Sequence, residues 1–509
     1  MESKVSGGES GSQDAQEEAA RHGRTATALE EAGESGGRRT DPASRRAARP
    51  NGGRDGGGKK RSAERADWPE ELPVFQQRLS RHQFSLGQIS LYIALVLSAA
   101  TSLRCASRVL ELWSTWVERA EAAPSWYTGR LWLLRVGYYK LSRLKEQATD
   151  WVWIVDQTVQ MGTEKCFVIL GLRLSALPPP GTCLRHEHVE PSALSPVKHS
   201  NGEVVYQQLT QAIVQTGVPR EILSDAGPDV KAGIERFRQA HPQTCTIYDI
   251  THQTAVVLKH ELERDPVWAL FTQQVTQTKQ RVHQTALAFL APPTQRRKTR
   301  YMNVDILIRW GCRRLGYMAH QREAAQPAVP LERLAEQYGW ITDFRASLQS
   351  WGELLQIVTA VEHFVRTHGL YGDCHQALEP LLTPLVQTER GRQVSQHLLA
   401  FVRTESSKAA PQERLLGSSE VIESVFGKQK RIEHYQANSG FTGLLLTLSA
   451  MVAETTQEVI QKALETVSTT QVRQWCQQHL GSSIQAQRQA AFRTLQQEEQ
   501  KQVLFQRAA

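Results

Sequence analysis

Three acidic residues that are far apart in the sequence have the types and settings of metal ligands. Asp156 follows the apolar segment Trp151 to Val155, where an unpaired ionised side chain would cost several kcal/mol on burial. Asp225 ends a second short apolar segment, and Glu423 lies in a segment with the period of a helix. Since Mg²⁺ prefers carboxylate oxygens, we predict that Asp156, Asp225 and Glu423 are both metal ligands and catalytic residues.

Such a set of carboxylates suits the cutting or joining of phosphodiesters. This chemistry needs an oxygen nucleophile and stabilisation of the negative charge that develops around phosphorus. Two divalent cations about 3.5–4 Å apart provide both, and we expect two Mg²⁺ or Mn²⁺ ions as cofactors. Other interpretations stay open for the single residues. Asp225 alone is typical of a turn or a helix cap, and Glu423 of a solvated helix surface.

The two aspartates lie in the β-rich part of the chain. Residues 151–161 and 165–174 are rich in Val, Ile and aromatic residues and predict a hairpin of buried strands. The elements predicted after it are a strand within 184–197, a helix over 204–217, a strand over 218–225, a helix over 227–241 and a strand over 245–250. This order predicts an α/β RNase H-like core, which is a mixed five-stranded sheet with flanking helices. In such a sheet the strands of Asp156 and Asp225 are neighbours.

Three segments resemble the acidic motifs of DDE transposases from bacterial insertion sequences. They are WVWIVDQT (151–158), EILSDAGPD (221–229) and VIESVFGKQK (421–430), and the resemblance extends over roughly residues 100–470. In that family the third acid lies on a late helix and is often followed, after six intervening residues, by a basic residue that contacts DNA. Glu423 and Lys430 have this spacing, whereas Glu420 would be matched with Gly427. The resemblance therefore favours Glu423, with Lys430 and the nearby Lys428 as DNA contacts.

The sequence departs from the family pattern in two ways: two residues before the Glu differ, and the interval before the Glu is long. Some groups place Tyr and Arg seven and four residues before the Glu, where this chain has Leu416 and Ser419, so the subgroup stays open. The long interval between Asp225 and Glu423 implies an insertion of helices. The resemblance also implies that Asp249 and His252, at the end of the last predicted strand, assist the active site. A cap for the following helix is the simpler interpretation.

Two further parts of the chain contain candidate DNA-binding residues. Predicted helices within 102–113 and 123–141 have the layout of a helix-turn-helix, and the second carries Arg130 and Arg135. A plain helical bundle explains the same residues. A second candidate DNA contact combines basic residues with nearby aromatic residues, although such charges are usually those of a solvated loop. Its basic residues are Arg296, Arg297, Lys298 and Arg300.

The amino-acid composition limits the classes of protein to which this chain can belong. The net charge of +8 and the pI of about 9.1 suggest binding to a polyanion. Seven cysteines without a CxxC pair predict neither a disulfide scaffold nor a structural zinc site. The most apolar segment, Leu86 to Ala100, is shorter than the roughly 20 residues that cross a bilayer and predicts a buried helix. With no recognisable secretory signal, we expect a cytoplasmic protein associated with the nucleoid.

These observations predict a transposase that binds the ends of a transposon, cleaves DNA and transfers strands. Its expected partners are double-stranded DNA, as transposon ends and target, and a second copy of the chain or a larger synaptic complex. Alternatives are an RNase H-like nuclease without strand transfer and a non-catalytic DNA-binding descendant. The predicted segments are a disordered basic tail (1–67), a helical DNA-binding region (68–149), the first part of the core (150–262), a helical insertion (263–411), the second part of the core (412–470) and a helical C-terminal tail (471–509).

Overall fold

A mixed sheet of five strands lies at the centre of the computed structural model, with helices on both faces. The structure describes residues 73–116, 122–159, 165–294, 304–324, 328–434, 442–480 and 488–498. The predicted tail 1–67 and the basic residues Arg296, Arg297, Lys298 and Arg300 lie outside these residues. All the described residues belong to one unit, Pro69–Ala509.

The strands are β1 (Trp151–Val159), β2 (Lys165–Arg173), β3 (Glu190–Val197), β4 (Glu221–Ser224) and β5 (Cys245–Tyr248). Helices before and within the sheet are α1 (Pro73–Gln76), α2 (Leu86–Leu97), α3 (Leu103–Trp116), α4 (Trp126–Ser142), α5 (Gly202–Thr216), α6 (Pro228–Ala240) and α7 (Ile250–Glu263). Helices after the sheet are α8 (Pro266–Val282), α9 (Val304–Glu323), α10 (Leu331–Tyr338), α11 (Arg345–His368), α12 (Cys374–Leu382), α13 (Glu389–Ser406), α14 (Glu420–His434), α15 (Thr447–Met451), α16 (Gln457–Thr466) and α17 (Thr469–Leu480). Short 3₁₀ helices occur at Leu174–Ala176, His186–His188, Ala288–Leu290, Gly339–Phe344, Thr383–Leu385 and Gly443–Leu446. Residues 488–498 are also helical.

The strand order is β3-β2-β1-β4-β5. β1 pairs antiparallel with β2, and β2 with β3, whereas β1 with β4 and β4 with β5 are parallel pairs. The predicted order of strands and helices is therefore confirmed, with ends that differ by a few residues. β3 is an edge strand and contains two prolines, Pro191 and Pro196, which a central strand would not tolerate.

Side chains alternate along β1 and divide the core into two layers. Val152 and Ile154 face a large hydrophobic cluster that also contains residues of α7, α11 and α14. Trp153 and Val155 face a second cluster that is built with α5 and α6. The sheet is thus buried on both faces, as the continuous apolar sequence of β1 predicts.

The N-terminal helices form a third cluster around α4. Ser85 starts α2 with a capping box to Gln88, and Ile89 and Ile93 of this helix are buried, which confirms the prediction for this segment. Leu133 of α4 faces the N-terminal cluster, while Leu134 belongs to the cluster on the sheet. Helix α4 therefore joins the N-terminal helices to the core.

The prediction of one helix over 440–466 is wrong. The chain forms a 3₁₀ turn, α15 and α16, with a break at residues 452–456. Ala453 in this break has a left-handed backbone (φ 55°). The buried ammonium group of Lys140 lies within hydrogen-bond distance of the carbonyl oxygens of Val452 (2.8 Å) and Ala453 (3.0 Å). Those carbonyls are satisfied by a side chain from α4, so the break needs no helical hydrogen bonds.

None of the described helices has both the length and the apolar character that spanning a membrane requires.

Candidate active site at the ends of β1 and β4

Strand register brings the two predicted aspartates together. The parallel pairing of β1 with β4 ends at Val155 and Ser224, and Asp156 and Asp225 directly follow these two residues in the sequence. By alternation both aspartates belong to the face that carries Ile154 and Leu223. Both are half-buried. The backbone therefore places these two residues side by side where the pairing of β1 with β4 ends.

A tight turn follows β4 and presents Asp225. Ala226 adopts a left-handed conformation (φ 53°). The Asp225 Oδ1 accepts a hydrogen bond from the amide of Gly227 (3.1 Å), and the Ser224 Oγ accepts one from the amide of Ala226 (3.3 Å). Pro228 then starts α6. The turn predicted from the sequence is present, and it leads directly from the strand into the helix.

Helix α14 brings the third acid over the same face of the sheet. Glu423 lies in the first turn of α14 and is half-buried. Helix α14 packs against β1, and its residues Ile422 and Val425 share a cluster with Ile154. Asp156, Asp225 and Glu423 thus belong to one face and one end of the core, although almost two hundred residues separate the second from the third.

A fully buried carboxylate, Asp249, fixes the start of α14. Its Oδ1 accepts hydrogen bonds from the amides of Thr251 (3.3 Å) and Ser419 (2.9 Å), and its Oδ2 accepts one from the amide of His252 (3.1 Å). Asp249 therefore caps α7, as its simpler interpretation predicts, and also holds the residue that precedes α14. The sequence did not predict this second contact.

A second buried carboxyl group holds the same segment from β4. The Glu221 Oε2 accepts a hydrogen bond from the amide of Leu416 (3.0 Å). Burial raises the pKa of Glu221 to about 8, and the hydrogen bond from Leu416 opposes this shift. Residues 416–419 are consequently attached to β4 through Glu221 and to β5 through Asp249.

The donor set suits Mg²⁺, since all three predicted ligands are carboxylates. Within the described ranges, no group of three or more acidic, His or Cys side chains stands close enough to hold a metal ion. Strand register and helix packing bring Asp156, Asp225 and Glu423 to one region of the core. That their oxygens bind two metal ions stays a prediction.

The outer surface of α14 is open beside Glu423. Lys430 is exposed and lies seven residues after Glu423, on the same side of the helix. A Cβ atom at Gly427, between them, would have no described atom within 4 Å. Lys428 points elsewhere, since its Nζ shares a hydrogen bond with the Nδ1 of His186 (2.9 Å). Lys430 is therefore exposed on the side of α14 that carries the half-buried Glu423.

The two arginines predicted to bind DNA from α4 lie partly inside the protein. The Arg135 guanidinium donates to the carbonyl oxygens of Val467 (2.6 Å) and Leu464, at the end of α16. Burial lowers the pKa of Arg135 and of Arg130. The contacts of Arg135 stabilise the end of a helix, and the role of both arginines in DNA binding stays a prediction.

The insertion contributes an acidic residue that the sequence did not single out. Glu362 of α11 is half-buried and accepts a hydrogen bond from the Thr254 hydroxyl. The pKa of Glu362 is raised to about 7, mainly by burial and also by the carboxylates of Asp249 and Glu420, whereas Thr254 and Arg366 oppose this shift. Arg366 itself pairs with Glu420. Only the folded chain reveals this proximity, because α11 is remote in sequence from α7 and α14.

Comparisons with known proteins give a distant likeness among solved structures. The sequence matches no protein-family model and no curated protein. Among solved structures it is similar to a Drosophila P element transposase strand transfer complex, with a TM-score of 0.36 and 11% identity over 76% of this chain and 93% of that chain. A likeness at this TM-score and identity does not establish a function for the chain.

Proposed function

We propose that the protein is a transposase with an RNase H-like core that cleaves DNA and joins the cut strands to a target. The observation that carries this proposal is that Asp156 and Asp225 directly follow Val155 and Ser224, the last register pair of the parallel strands β1 and β4. Helix α14, which carries Glu423, packs over the same face. Two carboxylates on a rigid sheet and a third on a packed helix form the scaffold that a two-metal site needs.

Each acidic residue has a defined part in this proposal. Asp156, Asp225 and Glu423 would hold two Mg²⁺ or Mn²⁺ ions, which supply charge stabilisation at phosphorus and an activated oxygen nucleophile when bound. Asp249 orients the first turn of α14 through the amide of Ser419. Lys430 would contact a DNA phosphate on the open side of α14, and Lys428, Arg130 and Arg135 are further candidate contacts.

The DNA partner and the assembly follow from the reaction. Strand transfer requires transposon ends and target DNA at one site, and two ends must be brought together. We therefore propose that the protein acts as a homodimer or a larger complex on double-stranded DNA. The basic residues Arg296, Arg297, Lys298 and Arg300 would add contacts to the phosphate backbone.

The proposal is tested with the purified full chain, Mg²⁺ or Mn²⁺, and DNA that carries the inverted repeats flanking the gene. We expect cleavage at the repeats and joining of the ends to a plasmid. Asp156→Asn, Asp225→Asn and Glu423→Gln should each abolish both steps, because each removes a ligand charge, while end binding persists. Cleavage without joining would favour a nuclease, and end binding without cleavage a non-catalytic descendant.

Glu420→Gln is the matched control for Glu423→Gln. Both residues lie in the first turn of α14, but Glu420 pairs with Arg366 of the insertion. The Glu420→Gln variant should cleave DNA at a rate near that of the wild type. Loss of cleavage in Glu420→Gln together with activity in Glu423→Gln would reassign the third ligand to Glu420.

A further inference from the structure

A cavity of about 560 Å³ opens next to the turn that carries Asp225. It lies between α6, the outer edge of β5, and α13 of the insertion. We propose that this cavity binds one nucleotide, either a free nucleoside phosphate or one unit of a DNA strand. Its volume is within the range of about 300–1,000 Å³ that is usual for small-molecule sites.

The insertion closes the edge of β5 with an ion pair. The amide of Tyr248 donates to the Glu405 carboxylate (3.0 Å), and the Lys408 Nζ donates to the Thr246 carbonyl oxygen (2.8 Å). Lys408 and Glu405 also pair with each other at 2.7 Å. Their charges offset one another, and their contacts satisfy the main-chain groups of the edge strand. A ligand in the cavity is therefore recognised by other residues.

Helix α6 supplies the remaining charge. Lys231, Glu235 and Arg238 are spaced four and three residues apart, so they share the side of α6 that lines the cavity. All three are exposed. Two cations against one anion leave a net positive charge at the rim. An arginine in this position suits a phosphate group, which its guanidinium binds through two parallel hydrogen bonds.

The walls below this rim are apolar and aromatic. Ile234 and Ile247 are buried, and the half-buried rings of Tyr248 and Phe401 meet edge to face with centroids 6.0 Å apart. Aromatic side chains bind nucleobases of any sequence by stacking. The positively charged rim suits the phosphate of a nucleotide, and the aromatic wall suits its base.

The cavity is adjacent to the proposed active site. Ser224 and Ala226, which flank Asp225, both line it. The version in which the ligand is one unit of a DNA strand rests on the proposed function. Binding of a free nucleotide does not depend on it.

The test is a binding measurement on the full-length protein with two probes. One probe is ATP or GTP with a fluorescent N-methylanthraniloyl group, and the other is oligothymidylate that contains a single 2-aminopurine. We expect a saturable fluorescence change with at least one probe. Saturation by the labelled nucleotide identifies a free ligand, whereas saturation by the oligonucleotide alone identifies a unit of the strand.

Three variants assign the binding to this cavity. Arg238→Ala should weaken binding at least about tenfold, because it removes the charge-assisted hydrogen bonds of the guanidinium to the phosphate. Glu235→Lys should tighten binding, because it adds positive charge to the rim. Arg236→Ala is the matched control, since Arg236 lies on another side of α6, where it pairs with Glu203 and covers the ring of Tyr206.

The inference is overturned if neither probe saturates. It is also overturned if Arg236→Ala weakens binding as much as Arg238→Ala, or if Glu235→Lys fails to tighten it. Circular dichroism confirms that each variant is folded. Asp156→Asn should bind the probes like the wild type, so a failure of the proposed catalysis leaves this measurement intact.

Discussion

At the scale of a single residue, the fold keeps the carboxyl group of Glu221 largely uncharged. It is fully buried in β4, and one of its oxygens accepts the amide of Leu416. Burial raises its pKa from an ordinary 4.5 to about 8, so the group is largely protonated at neutral pH. Leu416 lies just before the segment that leads to Glu423. The protonation of Glu221 therefore affects how firmly that segment is held.

We predict that Glu221→Gln makes stability less dependent on pH. Between pH 4.5 and 8 the folded wild type binds more protons at this position than the unfolded chain. Its free energy of unfolding should fall by up to about 1.4 kcal/mol per pH unit as the pH rises through this window. Gln is neutral throughout and can still accept the Leu416 amide, so the variant should show a flatter profile. Urea denaturation at pH 5.5 and 7.5 measures the difference, and equal slopes for the two proteins would contradict it.

The elements differ in how well the sequence predicted them. β1 and β2 were predictable because their continuous apolar sequences indicate burial on both faces of a sheet. The broken helix at 452–456 was not, because the break is stabilised by Lys140, which is more than three hundred residues away. The cavity beside Asp225 and the second contact of Asp249 have the same origin. Both depend on which distant segments become neighbours, and a local pattern does not encode that.

Close packing between elements makes a further prediction at Gly137 of α4. A Cβ atom here would lie 2.0 Å from the carbonyl oxygen of Leu446, a main-chain atom that cannot move independently. Gly137→Ala should therefore force α4 and the 443–446 turn apart and lower the free energy of unfolding by about 1–3 kcal/mol. Urea denaturation of the full chain measures this loss.

Gly316 of α9 is the matched control for Gly137. Both glycines lie inside helices, but a Cβ atom at Gly316 would have no described atom within 4 Å. Gly316→Ala should raise the free energy of unfolding by up to about 1 kcal/mol, since Ala is the better helix former. A stabilising effect of Ala at both positions would show that α4 does not approach Leu446 this closely.

In the whole molecule, the helical insertion is continuous with the sheet. One hydrophobic cluster contains Ile154 and Leu223 of the sheet, Trp351 and Leu398 of the insertion, and Val425 of α14.

Polar contacts also connect the insertion to the core. Arg390 of α13 forms ion pairs with Glu261, near the end of α7, and with Asp265, just after α7. The insertion should therefore unfold together with the strands that carry Asp156 and Asp225, and should not behave as a separate domain.

Trp351 tests this cooperativity because it lies deep in the insertion. It is fully buried, its indole NH donates to Asp265 Oδ2 (2.9 Å), and its ring meets that of Trp268 at 5.0 Å. Trp351→Ala should cost about 3–5 kcal/mol. In a cooperative molecule, hydrogen exchange of the slowest amides in β1 and β4 should accelerate at least about a hundredfold, in step with α11. Acceleration confined to residues 263–411 would show that the insertion unfolds alone, and that the sheet holds its two aspartates in place without help from it.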